Sequence, residues 1–280
     1  MANGTPNNAA PSARARRHTF GDDAEEYDAF RPGYPAQLID DVLDFADLDD
    51  SALALEVGAG TGKATRAFAQ SGVPVTCVEP DARMARVLQH RCGGLPRVTV
   101  EIADFETWRP ARRYGLLYCA QAWHWVDPAV RWRRAKAALS PGGAIALFWN
   151  HWFLESDELT AELTGAHARH GIDIPEHTIL DPRPGPARYG SEAHQWRDMV
   201  AAGFVDPAHR LYGSVHDRSP SALIGLLASY SGYRILPPHT RERIFADMAH
   251  TMAEEGGSVR VKVTTSLFLG RASADGDHPH

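Results

Sequence analysis

The segment Ala52–Gly62 constrains this chain more than any other. A run suited to a buried strand, Ala52–Val57, passes without a break into Gly58-Ala-Gly60-Thr-Gly62 and then into Lys63–Gln70, whose apolar residues have helical spacing. Glycines are needed where a backbone turns tightly between strand and helix and comes close to a ligand, because a Cβ would collide. The helix start behind them presents N–H groups that can face an anionic group.

The same unit then repeats. Apolar strands are expected at Val75–Val78, Val98–Ile102, Leu116–Ala120 and Ala144–Trp149, with helices at Asp81–Arg91 and Ala129–Leu139 between them. Asp127-Pro128 reads as the N-cap and first residue of the latter helix, and Pro141-Gly-Gly143 as its stop. Strands without alternation, separated by helices, describe a parallel sheet covered on both faces. A helix over Gln37–Phe45 precedes the series. From His151 the rhythm breaks into helical pieces and the turn-rich Asp181–Pro186. A strand near His209–Val215, helices near Ser221–Ser229 and Thr240–Glu254, and the alternating run Val259–Leu269 follow. The expected fold is α/β, a doubly wound, mostly parallel seven-stranded sheet with an inserted helical cap. Its expected parts are a disordered tail (1–18), a cofactor-binding core with N-terminal helices (19–150), a cap or substrate-binding insertion (151–207), the C-terminal part of the core with additional helices (208–271) and a disordered tail (272–280).

Composition removes several classes of function. A formal charge of −6 leaves no basic footprint for a nucleic acid backbone, and the one dense basic cluster, Arg14, Arg16 and Arg17, sits in a polar leader. No apolar stretch approaches the ~20 residues that span a bilayer, and the start has no apolar core of a secretory signal. Three spaced cysteines, Cys77, Cys92 and Cys119, offer neither a disulfide framework nor a zinc site, and no metal site is expected. Cys77 and Cys119 read as small core residues. The expected setting is cytoplasmic, with a small-molecule substrate, no nucleic acid and no membrane; a homodimer is compatible with this reading.

The chemistry is carried by residues downstream of the glycines. Glu79 ends the second strand about 20 residues further on, where a carboxylate accepts hydrogen bonds from two ribose hydroxyls. Asp104-Phe105 follows the third strand, where an acid can accept from an adenine amino group and an apolar neighbour can pack on the ring. Nicotinamide, flavin and adenosylmethionine sites all use glycine loops, and a carboxylate at the second strand serves more than one of them. The spacing here is G-x-G-x-G, however, and Lys63 stands where the dinucleotide fingerprint places its third glycine.

Taken together, these motifs resemble the class I S-adenosylmethionine-dependent methyltransferases. Leu55–Gly62 is similar to that family's glycine motif, Glu79-Pro-Asp-Ala-Arg-Met84 to its ribose-binding acid with a downstream adenine-packing Met, and Ala103-Asp104-Phe105 to its adenine motif. Within the class, Tyr27–Pro35 and Gln121-Ala-Trp-His-Trp-Val-Asp-Pro128 resemble the small-molecule branch that includes trans-aconitate-type methyltransferases. The resemblance covers about residues 20–150 and implies a Rossmann-like core and S-adenosyl-L-methionine as cofactor. It implies cofactor contacts from Tyr27, Arg31, Gly58, Ala59, Gly60, Gly62, Glu79, Pro80, Met84, Asp104, Phe105 and Gln121.

His124, beyond a central strand at the switch point of the sheet, is the candidate base or substrate partner. Further substrate contacts are expected from Trp123, His151, Trp152, Tyr189, Trp196 and Tyr230. The expected activity is methyl transfer to an O, N or C atom of a small molecule, in biosynthesis or tailoring of a metabolite. The competing readings are an NAD(P)-dependent oxidoreductase, disfavoured by Lys63 and by the lack of a Tyr-x-x-x-Lys pair, and a member of the fold that does not transfer methyl groups.

Overall fold

The computed structural model describes residues 30–31, 33–49, 51–175, 178–181 and 190–274. The expected tail at 1–18, residues 275–280 of the second tail, and Tyr27 and Tyr189 lie outside these residues.

Helix α1 (Ala36–Ala46) starts after Pro35 and buries Leu38, Ile39, Val42 and Ala46 against the sheet. Strand β1 (Ala54–Val57) is buried throughout, and α2 (Lys63–Gln70) and β2 (Val75–Glu79) follow. Next come α3 (Ala82–Cys92), β3 (Val98–Ile102), β4 (Tyr114–Ala120), α4 (Arg131–Ala138) and β5 (Leu139–Leu154). The remaining elements are α5 (Asp157–Arg169), α6 (Gly190–Ala201), β6 (Val205–Arg218), α7 (Pro220–Ala228), α8 (Ser231–Arg234), α9 (Pro238–Glu254) and β7 (Val259–Arg271). Seven strands form one sheet in the order β3-β2-β1-β4-β5-β7-β6. The first five are parallel, and β7 runs antiparallel to both β5 and β6. The strand order reverses between β1 and β4, which opens a crevice beyond their carboxyl ends.

The expected α/β architecture is therefore the observed one, with four local corrections. First, β5 does not end at Trp149 but pairs with β7 as far as Leu154↔Val261, because the alternating run Val259–Leu269 supplies it with a partner. Second, Pro141-Gly-Gly143 does not stop a helix. The helix ends at Ala138, and residues 139–143 already travel beside β4 through an irregular register. Gly143 permits this, since a Cβ there would lie 3.1 Å from the Tyr114 carbonyl oxygen. Third, Asp127 caps a turn rather than α4. Its carboxylate accepts from Ala129 N at 2.9 Å and its carbonyl from Val130 and Arg131, while the helix begins only at Arg131. Fourth, β6 is longer than expected and is irregular at Asp206-Pro207.

The segment 151–207 divides. Helix α5 joins α7, α8 and α9 in one apolar cluster with the far ends of β5 and β7, where Leu163, Leu227, Tyr233, Met248 and Val261 are fully buried. Helix α6 instead packs Met199 on the sheet with Leu147, Phe204 and Phe268. The cap is thus built from two connections, β5–β6 and β6–β7. Cys77, Cys92 and Cys119 are buried, and none is in a disulfide among the described residues.

Candidate active site

A cavity of about 920 Å³ opens at the carboxyl ends of the strands, between the sheet and the cap. Volumes of this order suit small-molecule and cofactor sites. At its sheet end lie Gly58, Ala59 and Gly60, Glu79, Pro80, Met84 and Phe105. Gly58 has φ +68°, and a Cβ on it would stand 2.6 Å from the Ala122 Cβ, so the loop after β1 and the turn after β4 meet at a point that admits only glycine. Gly60 has φ +57°, and a Cβ on it would enter open space. Its N–H donates to Glu79 Oε2 at 2.8 Å, and the N–H of Asp81 donates to Glu79 Oε1 at 2.9 Å. The Glu79 carboxylate, 6% exposed, therefore holds the glycine loop to the end of β2. Asp81 in turn caps α3 by accepting from Arg83 N at 2.8 Å, and its carboxyl is held below the usual carboxylate range by its Arg83 bonds against the opposing effect of burial.

Two expected cofactor contacts stand elsewhere. Gly62 leads into α2 at φ +87°, and a Cβ on it would press Leu88 at 3.0 Å, so it serves helix packing away from the cavity wall. Asp104 makes a turn, its carbonyl accepting from Thr107 and Trp108, and it too is off the wall.

Glu56 is a wall residue that the sequence reading passed over. It is 1% exposed, and its Oε2 accepts from Thr65 Oγ1 at 2.5 Å and Tyr118 OH at 3.0 Å. Burial pushes its carboxyl up to about 8; those two hydroxyls oppose the rise, and the charge of Glu79 adds to it. The signal was an acid inside the otherwise apolar run Ala52–Val57, a placement rarely tolerated without partners.

At the cap end, Gln121 takes a left-handed backbone (φ 63°), an uncommon state for a residue other than glycine. It is held there by its N–H on Phe148 O at 2.9 Å and its side-chain amide on Asn150 O at 3.1 Å. Asn150 accepts from Thr265 Oγ1 at 2.6 Å and donates to Gly33 O at 3.1 Å, which ties the segment after Arg31 across the site. Tyr34 meets Phe148 edge-on, with ring centroids 4.8 Å apart. Arg31 Nε donates to Ser229 Oγ at 3.2 Å, and its guanidinium lies 4.7 Å from the centre of the Tyr230 ring. Phe30 packs so closely on α7 that a Cβ at Gly225 would lie 2.6 Å from its ring.

His124 is exposed on the cavity wall in a short 3-10 turn, Trp123–Trp125. Its Nδ1 accepts a long bond, 3.5 Å, from the indole N–H of Trp149. In the neutral ring that bond puts the proton on Nε2. His151, Trp152 and Tyr230 also line the cavity. Trp123 does not: it is fully buried between Phe105 and Trp132, where it seats the turn on the core. Trp196 does not either, since α6 carries it to the sheet, against Phe268 and His209. Beyond Glu56, the sequence reading missed Tyr34, Trp125, Trp149 and Asn150 on the wall. Asn150, a polar residue closing the apolar run Ala144–Trp149, was the readable signal among these. Among the described residues, no group of three or more His, Cys, Asp or Glu could hold a metal ion, and no helix is long and apolar enough to cross a membrane.

Comparison with known proteins agrees with this geometry. A family described as a methyltransferase domain matches residues 54–143. An uncharacterised methyltransferase of Mycobacterium tuberculosis is 32% identical over 172 residues, which make up 59% of this chain and 68% of the relative. The trans-aconitate 2-methyltransferase of Azoarcus sp. is 25% identical over 243 residues, covering 85% of this chain and 78% of that protein. Among solved structures, a proposed type II methyltransferase of Anaeromyxobacter dehalogenans superposes with a TM-score of 0.62 at 22% identity, covering 89% of this chain and 99% of that one. The glycine loop, the carboxylate at the end of β2 and the cavity thus stand on a sheet of the same fold, and the chain belongs to the methyltransferase family.

Proposed function

We propose that this chain is an S-adenosyl-L-methionine-dependent methyltransferase that modifies a small molecule in metabolite biosynthesis or tailoring. The observation that carries the reading is one continuous cavity with a glycine-and-carboxylate end and an aromatic, cap-covered end. The residues at the first end fit the cofactor. A Cβ at Gly60 would fill open space that a ligand can use, and Glu79 offers a buried carboxylate beside it. Glu79 would hold the ribose hydroxyls, and Met84 and Phe105 would pack on the adenine. S-adenosyl-L-methionine, when bound, supplies an activated methyl group on a sulfonium.

The protein then has to align an acceptor and keep water out. The Arg31–Tyr230 stack and the Asn150–Gly33 bond hold the N-terminal segment against the cap, so the second end is covered. His124, with its Nε2 proton, is set to donate a hydrogen bond to an acceptor atom and to position it.

Calorimetry tests the reading. Binding of S-adenosylmethionine and S-adenosylhomocysteine without binding of NADH is expected, and an acceptor screen read by homocysteine release then identifies the substrate. Tight NADH binding with no response to either adenosyl compound would overturn it.

A further inference from the structure

Trp152 lies on β5 opposite Val263, is 6% exposed, packs in the cap cluster and stands on the cavity wall. Its indole N–H is buried and has no hydrogen-bond acceptor among the described residues. An indole nitrogen can only donate, and buried donors in folded proteins are nearly always paired. The indole N–H groups of Trp123 and Trp132 are also buried without an acceptor, but neither residue lines the cavity. Of these three residues, Trp152 alone lines the cavity. Phe153, Ile172, Ile174 and Leu236 make most of the wall at this end apolar, with Asp173 between the two isoleucines, and Arg31 brings a positive charge to the same end.

We infer that the methyl acceptor is a mostly apolar molecule carrying a carbonyl or carboxylate oxygen, and that this oxygen accepts a hydrogen bond from Trp152 Nε1. Trp152 is on this view a specificity residue: it selects an oxygen at one place in a mostly apolar chamber. The inference rests on the proposed function, because it takes the cap end of the cavity as the acceptor site.

The test is calorimetry on the full chain saturated with S-adenosylhomocysteine. The probes are ω-phenylalkanoates of graded chain length, the matching amides, butylbenzene and trans-aconitate. Trp152→Phe keeps a ring in place and removes the N–H. The expected result is that acids or amides bind, that Trp152→Phe weakens them about tenfold, and that butylbenzene and S-adenosylhomocysteine bind the variant as they bind the wild type. Acids bound more tightly than amides identify a carboxylate; equal binding identifies a carbonyl. Four outcomes overturn the inference: unchanged binding of the oxygen-bearing probes by Trp152→Phe, an equal loss for butylbenzene, binding of trans-aconitate alone, or binding of no probe.

A measurement on the wild-type protein does not depend on the variant folding. With the indoles isotope-labelled, one indole N–H resonance should move downfield with an oxygen-bearing probe and stay in place with butylbenzene; no such movement counts against the contact. Failure of S-adenosylhomocysteine to bind the wild type strikes the proposed function instead, and the same titrations without it still read the Trp152 bond.

Discussion

Replacing Glu79 by Gln, ordinarily a mild change, is expected to damage this protein in two separable ways. Each carboxylate oxygen accepts a backbone N–H: Oε2 from Gly60 and Oε1 from Asp81, at 2.8 and 2.9 Å. An amide has one oxygen and one NH₂, so whichever way Gln is turned, one of these N–H groups faces a donor. A buried donor left unsatisfied costs about 1–3 kcal/mol, which for a chain of this size lowers the melting temperature by roughly 2–12 °C. Ala leaves both N–H groups bare, but it opens room for water beside the cavity, so Gln should be at least as destabilising as Ala. Separately, the charged acceptor proposed for the ribose hydroxyls is lost, a difference of about 1.5–3 kcal/mol, or roughly ten- to a hundredfold in affinity. Thermal unfolding of the free protein reads the first effect, and calorimetry with S-adenosylhomocysteine reads the second. A Gln variant with wild-type melting and wild-type affinity would refute the reasoning, since it would show that neither the loop nor the ligand depends on two acceptor oxygens.

Three further outcomes are expected. Gly58→Ala should reduce both stability and S-adenosylhomocysteine affinity, because its Cβ would lie 2.6 Å from that of Ala122 at a left-handed φ of +68°; adding Ala122→Gly should recover part of the loss, as melting and calorimetry can show. Glu56 keeps its proton in the folded state up to about 8 and loses it near 4.5 when unfolded, so stability should fall by a few kcal/mol as pH rises through that window and level off above it. Glu56→Gln, which still offers one oxygen to Thr65 and Tyr118, should flatten that slope in denaturant melts at pH 5 and pH 8.5. His124→Ala should leave S-adenosylhomocysteine binding unchanged and raise the KM for the acceptor more than it lowers kcat; a fall in kcat of a hundredfold or more at constant KM, with a matching pH limb lost, would make it a base instead.

What could be read from the sequence was what local patterning controls. The glycine turn, the acid ending β2 and strands β1 to β4 are written in runs of fewer than a dozen residues, and each run carries its own reason for its conformation. Aromatic residues were harder, because an indole says nothing about which side of its element will be buried. Trp123 and Trp196 read like Trp152, yet the first fills the core beneath the turn and the second packs on Phe268 at the sheet surface. Glu56 and Asn150 were missed for a different reason. Each is one polar residue in an apolar strand, and its role emerges only with distant partners such as Tyr118 or Thr265.

The cap end of the cavity arises from a step in the sheet that no single segment encodes. Strand β4 stops at Ala120, opposite Phe148, while β5 continues six residues further because β7 still pairs with it. Beyond Phe148, β5 has therefore lost its neighbour on one side. Gln121 turns away there, and its amide takes the carbonyl of Asn150. Residues 149–153 consequently present both faces of a strand to the space that β4 has left, and all five line the cavity. The cap helices cover this projecting end from one side, burying Trp152 and Leu154 among their own apolar residues. The length of β5 is decided by a strand more than a hundred residues later in the chain, and with it the cap end of the cavity. The glycine end of the cavity is thus a local property of β1 and β2, whereas the cap end is a property of the completed sheet, so the far wall can vary with β7 and the cap without disturbing the glycine loop.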